Sequence, residues 1–190
     1  MMLKNNLKKL LFPIISLFVV LLLIASSFTS IVDLYRPPIK DSVMKSQIPK
    51  NKKVTVNLSQ TEFKEQAEEA INSWNSDLHR KLFIITQNQH PTIIIADLSN
   101  EQINKLSKDA DYGEHILGVT TGGAIYMNAG FLSKSNNQGL IVPVFEHELG
   151  HVIGLKHING DALMNSSIQT TSFITRYDIK VAKYILKKIH

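Results

Sequence analysis

Val54-Thr55-Val56-Asn57-Leu58 alternates apolar and polar side chains, the pattern of a half-buried strand. Phe63, Ala67, Ala70, Ile71, Trp74 and Leu78 then recur every three or four residues. That spacing predicts an amphipathic helix from about Thr61 to Ser76, with Glu65, Glu68 and Glu69 on its wet side and Trp74 as a core anchor. Leu82 to Thr86 and the β-branched run Thr92 to Ala96 read as two further strands. Ser99 followed by Gln102 forms a capping-box pattern that opens a short helix to about Lys108. Val119 to Asn128 reads as one strand, weakened or bulged at Gly122-Gly123. Pro143 suits the first turn of a helix running through Ile153. Thr175 and Asp178 can cap a last helix from Arg176 to Ile189.

Ahead of these elements lies Leu10 to Val32, an uncharged run preceded by Lys4, Lys8 and Lys9. As a helix it is long enough to cross a ~30 Å hydrocarbon layer. Basic residues before an apolar stretch also describe a secretory signal peptide, and Ala25-Ser26-Ser27 offers small residues for cleavage. The length favours an uncleaved anchor, residues 1–32, with the remainder on the outer side of the cell membrane; cleavage would give a secreted protein instead. Residues 33–53, with Pro37-Pro38, Pro49 and scattered lysines, read as a linker or stalk, and residues 54–190 as one folded domain.

The formal net charge of +5 is unevenly distributed. Residues 1–53 hold nine Lys/Arg and two Asp/Glu, against twelve and fourteen in residues 54–190. The folded part therefore lacks the overall basic excess expected of a nucleic-acid binder, and no such partner is expected. The absence of cysteine excludes disulfides and thiolate metal ligands.

The chemistry is concentrated in His147-Glu148-Leu149-Gly150-His151-Val152-Ile153-Gly154-Leu155-Lys156-His157. Helical residues four apart share a face, so His147 and His151 can aim two imidazoles at one ion. Glu148, turned by about 100° from His147, falls outside that ligand row but can reach a metal-bound water. Gly154 can end the helix in a left-handed conformation, and the chain beyond it can return His157 as a third ligand. Chance would produce this five-position pattern in about one in a hundred thousand chains of such length.

These eleven residues resemble the zinc signature of the metzincins, and Glu-Leu-Gly-His with Gly-Leu-Lys-His is especially similar to the matrixin branch. Ala162-Leu163-Met164 resembles the family's Met-turn, in which Met164 would floor the zinc histidines. The resemblance implies an α+β, zincin-like fold: a mixed twisted sheet, an active-site helix and a C-terminal helix, preceded here by the N-terminal hydrophobic helix. It implies one catalytic Zn2+ on His147, His151 and His157, Glu148 as general base, and a protein or peptide substrate cut by a monomer. By the same resemblance, Gly122, Gly123, Ala124 and Tyr126 would lie on a rim that pairs with the substrate backbone, and Asn165 to Thr171 would shape the pocket beyond the scissile bond. This chain departs from matrixins in having no cysteine switch and in carrying Asn165 where Tyr is common. Asp109, Asp111, Glu114 and His115 occupy the region where such enzymes hold structural Ca2+ or a second Zn2+, without the full ligand series. Tyr177 is read as packing at a helix start, with oxyanion stabilisation as the lesser role. The rival readings are a catalytically inactive zinc-containing binding module at the membrane surface, and a zinc hydrolase whose third ligand is a downstream glutamate.

Overall fold

A computed structural model describes residues 36–106, 116–160 and 162–189. The expected N-terminal helix, the acidic group Asp109, Asp111, Glu114 and His115, and His190 lie outside the described residues. Among the described residues, no helix is long and apolar enough to cross a membrane.

The alternating segment forms strand β1, Val54–Gln60, which buries Val54, Val56 and Leu58 on one face. Helix α1, Lys64–Asp77, follows, then β2, Phe83–Ile85, and β3, Ile93–Leu98. Helix α2, Asn100–Leu106, is opened by the expected capping box: the Ser99 N–H donates to Gln102 Oε1 at 2.9 Å, and the Gln102 N–H donates to Ser99 Oγ at 3.3 Å. After β4, Gly118–Thr121, and β5, Ala124–Asn128, come a single turn of helix, α3, Ala129–Leu132, the long helix α4, Ile141–Ile153, and the last helix α5, Arg176–Lys188.

The five strands form one sheet in the order β2-β1-β3-β5-β4. All neighbours run parallel except β4, which is antiparallel to β5 and forms an outer edge. The chain is thus α+β with a mixed sheet. The stretch expected as one strand from Val119 to Asn128 is instead a hairpin. Gly122 and Gly123 adopt φ +57° and +83°, the successive positive values that a tight two-residue turn demands and that glycine accepts at little cost. A bulge would have kept the strand continuous; two left-handed residues reverse it.

Helix α4 is apolar on nearly every side and buried along most of its length, as a helix of that composition must be. It packs against α1, where fully buried Trp74 donates its indole N–H to the Glu146 carbonyl at 2.8 Å. This bond fixes the helix one residue before His147. The Glu146 side chain is also buried; burial pushes its carboxyl up to about 7, opposed by a hydrogen bond with Ser73 of α1.

The expected stalk requires correction. Residues from Pro37 onward belong to the same compact unit as the rest of the described chain. A 3-10 turn at Ile39–Ser42 leads into a segment bound to the end of α4: the Met44 N–H donates to the Gly154 carbonyl at 2.8 Å, the Gln47 N–H to Val152 at 3.0 Å, and the Lys156 N–H to Ser42 at 2.9 Å. Val43 bridges Leu155 in antiparallel fashion, and Ile48 is buried. Backbone pairing holds this strap without any side-chain periodicity. Tyr177, at the start of α5, fastens it further by donating its hydroxyl to the Pro37 carbonyl at 2.5 Å, with Ser42 Oγ 2.6 Å away.

Tyr177→Phe leaves the buried Ser42 hydroxyl and the Pro37 carbonyl short of a partner. It is expected to destabilise the protein by about 1–3 kcal/mol in denaturant unfolding, whereas a loose stalk would give no measurable change.

Candidate metal centre

Helix α4 carries His147 and His151 on one face, and Gly154 caps it at φ +111°, as the sequence suggested. A side chain at Gly154 would be strained by that φ and crowded by the strap, since an added Cβ would stand 3.1 Å from the Met44 carbonyl oxygen. The turn brings His157 back to the other two rings. His157 Nε2 lies 3.0 Å from Nε2 of His147 and 3.0 Å from Nε2 of His151. The ring centroids are 4.7 to 5.0 Å apart. Among the described residues, these three form a group able to hold a metal ion.

The protonation pattern leaves two of the rings able to ligate a cation. His147 Nδ1 is 2.8 Å from the Leu163 carbonyl, and His151 Nδ1 is 2.9 Å from the Leu155 carbonyl. A carbonyl only accepts, so each Nδ1 must carry the hydrogen, and each neutral ring presents a bare Nε2 lone pair. The rings are held neutral: burial, then the neighbouring His151, lowers His147 to about 3 and His157 to about 4, and burial lowers His151 too. His157 Nε2 can donate a hydrogen to one of these lone pairs, or present its own lone pair so that all three face a cation. Four-coordinate metal with M–N distances of ~2.0–2.1 Å would set the nitrogens about 3.3 Å apart, close to the spacing seen here. The residues therefore fit a metal ion.

Glu148 is buried beside this group. Burial pushes its carboxyl up to about 7, against the lowering effect of a hydrogen bond from Thr120. The Thr120 hydroxyl lies 2.6 Å from Glu148 Oε2 and 3.1 Å from the Glu148 carbonyl oxygen. Gly118 sits over the other carboxylate oxygen: an added Cβ there would stand 2.9 Å from Oε1. Thus β4 holds one oxygen with Thr120 and packs closely on the other at Gly118, a position with no space for a side chain. Sequence reasoning missed both. A threonine in a strand reads as an ordinary β-former, and its partner is 28 positions away.

Met164 is fully buried beneath α4. An added Cβ on Gly150 would lie 2.6 Å from its sulfur and 3.5 Å from the Trp74 ring. Leu163, its neighbour, supplies the carbonyl that orients His147. The segment also pairs with the chain carrying His157, the Ile158 N–H donating to the Met164 carbonyl at 2.9 Å.

The proposed rim residues fall differently. Gly122 and Gly123 form the hairpin tip, and an added Cβ on Gly122 would meet nothing within 4 Å. Ala124 and Tyr126 lie on β5, whose backbone is paired with β3 on one side and β4 on the other. They therefore cannot offer an open backbone edge; among the described strands on this side, that edge belongs to β4. Tyr177 is occupied by Pro37 and Ser42, which assigns it to packing. His79 and His90 are exposed and stand outside the metal-holding group.

No protein-family model matches the chain, and no curated protein is matched by it.

Gly150→Ala should reverse the usual benefit of alanine in a helix. The added methyl group is expected to destabilise the fold by about 1–3 kcal/mol through overpacking against Met164, whereas an unhindered site would gain about 0.5–1 kcal/mol. Chemical denaturation of the two proteins distinguishes the signs.

Proposed function

We propose that this protein is a zinc-dependent endopeptidase of the metzincin type, matrixin-like in its signature and held at the outer side of a membrane by residues 10–32. The observation that carries this reading is the convergence of three neutral imidazoles beside a buried glutamate. A structural ion needs no such carboxylate, and an uncompensated one costs stability when buried. The inactive binding-module reading leaves the Thr120–Glu148–Gly118 arrangement without a purpose. The downstream-glutamate reading is disfavoured because His157 already supplies the third nitrogen.

His147, His151 and His157 would hold Zn2+, which when bound supplies a Lewis acid for the scissile carbonyl and an acidified water. The protein supplies the rest. Glu148 accepts the proton of the attacking water; Thr120 anchors Oε2, and the close approach of Gly118 to Oε1 helps fix the carboxylate's rotation. Burial raises the carboxylate's affinity for that proton, which it can then release to the departing amine. The buried setting keeps bulk water from competing for the proton.

The outer edge of β4, Gly118–Thr121, is the place for an extended peptide to add as a further strand. Backbone pairing there would bring the scissile bond alongside Glu148, because Thr120 of the same strand already touches it. Beyond Met164, residues Asn165 to Thr171 remain the candidate wall of the pocket after the scissile bond.

Glu148→Gln should lower turnover of an unfolded protein substrate by at least about 10²-fold while zinc content stays at one ion per chain. Wild-type-like turnover in that variant refutes the assigned role. Thr120→Val, nearly isosteric, should lower kcat about tenfold with little change in KM, and Thr120→Ser should restore it. Equal loss in both variants would make Thr120 a packing residue only.

A further inference from the structure

Helix α5 segregates its charges. Arg176, Lys180, Lys183 and Lys187 follow at four-, three- and four-residue intervals, so they share one face, and Lys188 extends it. All five are exposed. The helix's one acidic residue, Asp178, is buried and engaged with Thr175 in the capping box. The opposite balance holds on α1, where Glu65, Glu68 and Glu69 are exposed. Both helices pack on α4, yet one is a basic ridge and the other an acidic face.

The strap gives that ridge an address. Pro37 is hydrogen-bonded to Tyr177 in the first turn of α5, and the 3-10 turn bearing exposed Lys40 packs against the same helix. Only Asp33, Leu34, Tyr35 and Arg36 separate Pro37 from the end of the apolar run at Val32. Five residue steps reach about 18 Å at full extension, less than the roughly 20 Å length of α5 itself. That chain length bounds how far Pro37 can lie from Val32. Lys188 Nζ lies 4.4 Å over the Tyr184 ring, placing an amphipathic aromatic on the same helix, a residue type enriched at membrane interfaces.

We propose that the basic ridge of α5, continued by Lys40, docks on anionic phospholipid headgroups and so sets the domain's orientation on the membrane. This inference rests on the anchoring role proposed for residues 10–32, and it is independent of the metal chemistry. Juxtamembrane lysines and arginines act within about one Debye length, ~10 Å at ordinary salt, and a tether reaching about 18 Å allows, without enforcing, an approach that close. Nucleic acid is the less favoured partner, because residues 54–190 carry twelve Lys/Arg against fourteen Asp/Glu.

The absence of cysteine permits a direct test on the full chain. Single variants Lys188→Cys on the ridge and Glu69→Cys on α1 are labelled with a fluorophore and assembled into phosphatidylcholine nanodiscs with or without phosphatidylglycerol. Acrylamide quenching at the ridge should fall about threefold in the anionic discs, while the α1 label stays accessible. High salt, or the added pair Lys183→Glu and Lys187→Glu, should abolish the protection. Equal quenching at both sites, or protection indifferent to salt and charge reversal, overturns the ridge proposal while leaving the anchor intact. Failure of the chain to remain with phosphatidylcholine discs overturns the anchor and the ridge together. Protection produced by a DNA duplex in phosphatidylcholine discs, but not by phosphatidylglycerol, assigns the ridge to nucleic acid and overturns the lipid reading.

Discussion

A backbone carbonyl can accept a hydrogen bond but never donate one, and two such carbonyls govern this site. Leu163 and Leu155 each take the Nδ1 hydrogen of a histidine, leaving Nε2 of His147 and His151 as bare lone pairs aimed at a shared point. His157 brings a third nitrogen to within 3.0 Å of both. Such a convergence of ring nitrogens is a group able to hold a metal ion. Much of the surrounding structure keeps those carbonyls and rings in register. Trp74 fixes the start of the helical segment, Gly154 ends it, and the Leu163-Met164 segment seals it from below.

The strap adds a constraint of another kind. Its pairing with Val152, Gly154 and Leu155 lies on the short stretch that connects the second histidine to the third. The chain emerging from the apolar run therefore takes part in shaping the metal group's least regular segment. Tyr177 ties that strap to the last helix, so the strap, the histidine group and the terminal helix form a connected set of contacts. On the proposed reading, placing the protein on a membrane and holding its zinc would share the same backbone.

Local patterns made much of this legible from residues alone. The three histidines, the helix end at Gly154, the capping boxes and the burial of Trp74 all depend on neighbours within a few positions. Features set by distant pairing were not legible. The hairpin at Gly122-Gly123 was hidden because β-formers lie on both sides of the glycine pair, and one continuous strand bulged at the glycines fits that pattern equally well. Its existence moved Ala124 and Tyr126 from an edge to an interior strand. Residues 37–53 carry no periodicity because their hydrogen bonds run through the backbone, and prolines made them resemble a stalk. Thr120 and Gly118 gained meaning only when the sheet carried β4 alongside Glu148.

X-ray absorption at the zinc edge of the loaded protein tests the central claim most directly. The account predicts three imidazole nitrogens and one light-atom ligand at ~2.0–2.1 Å, with one imidazole lost in His157→Ala. A spectrum without imidazole scattering, or one unchanged by that substitution, would contradict it.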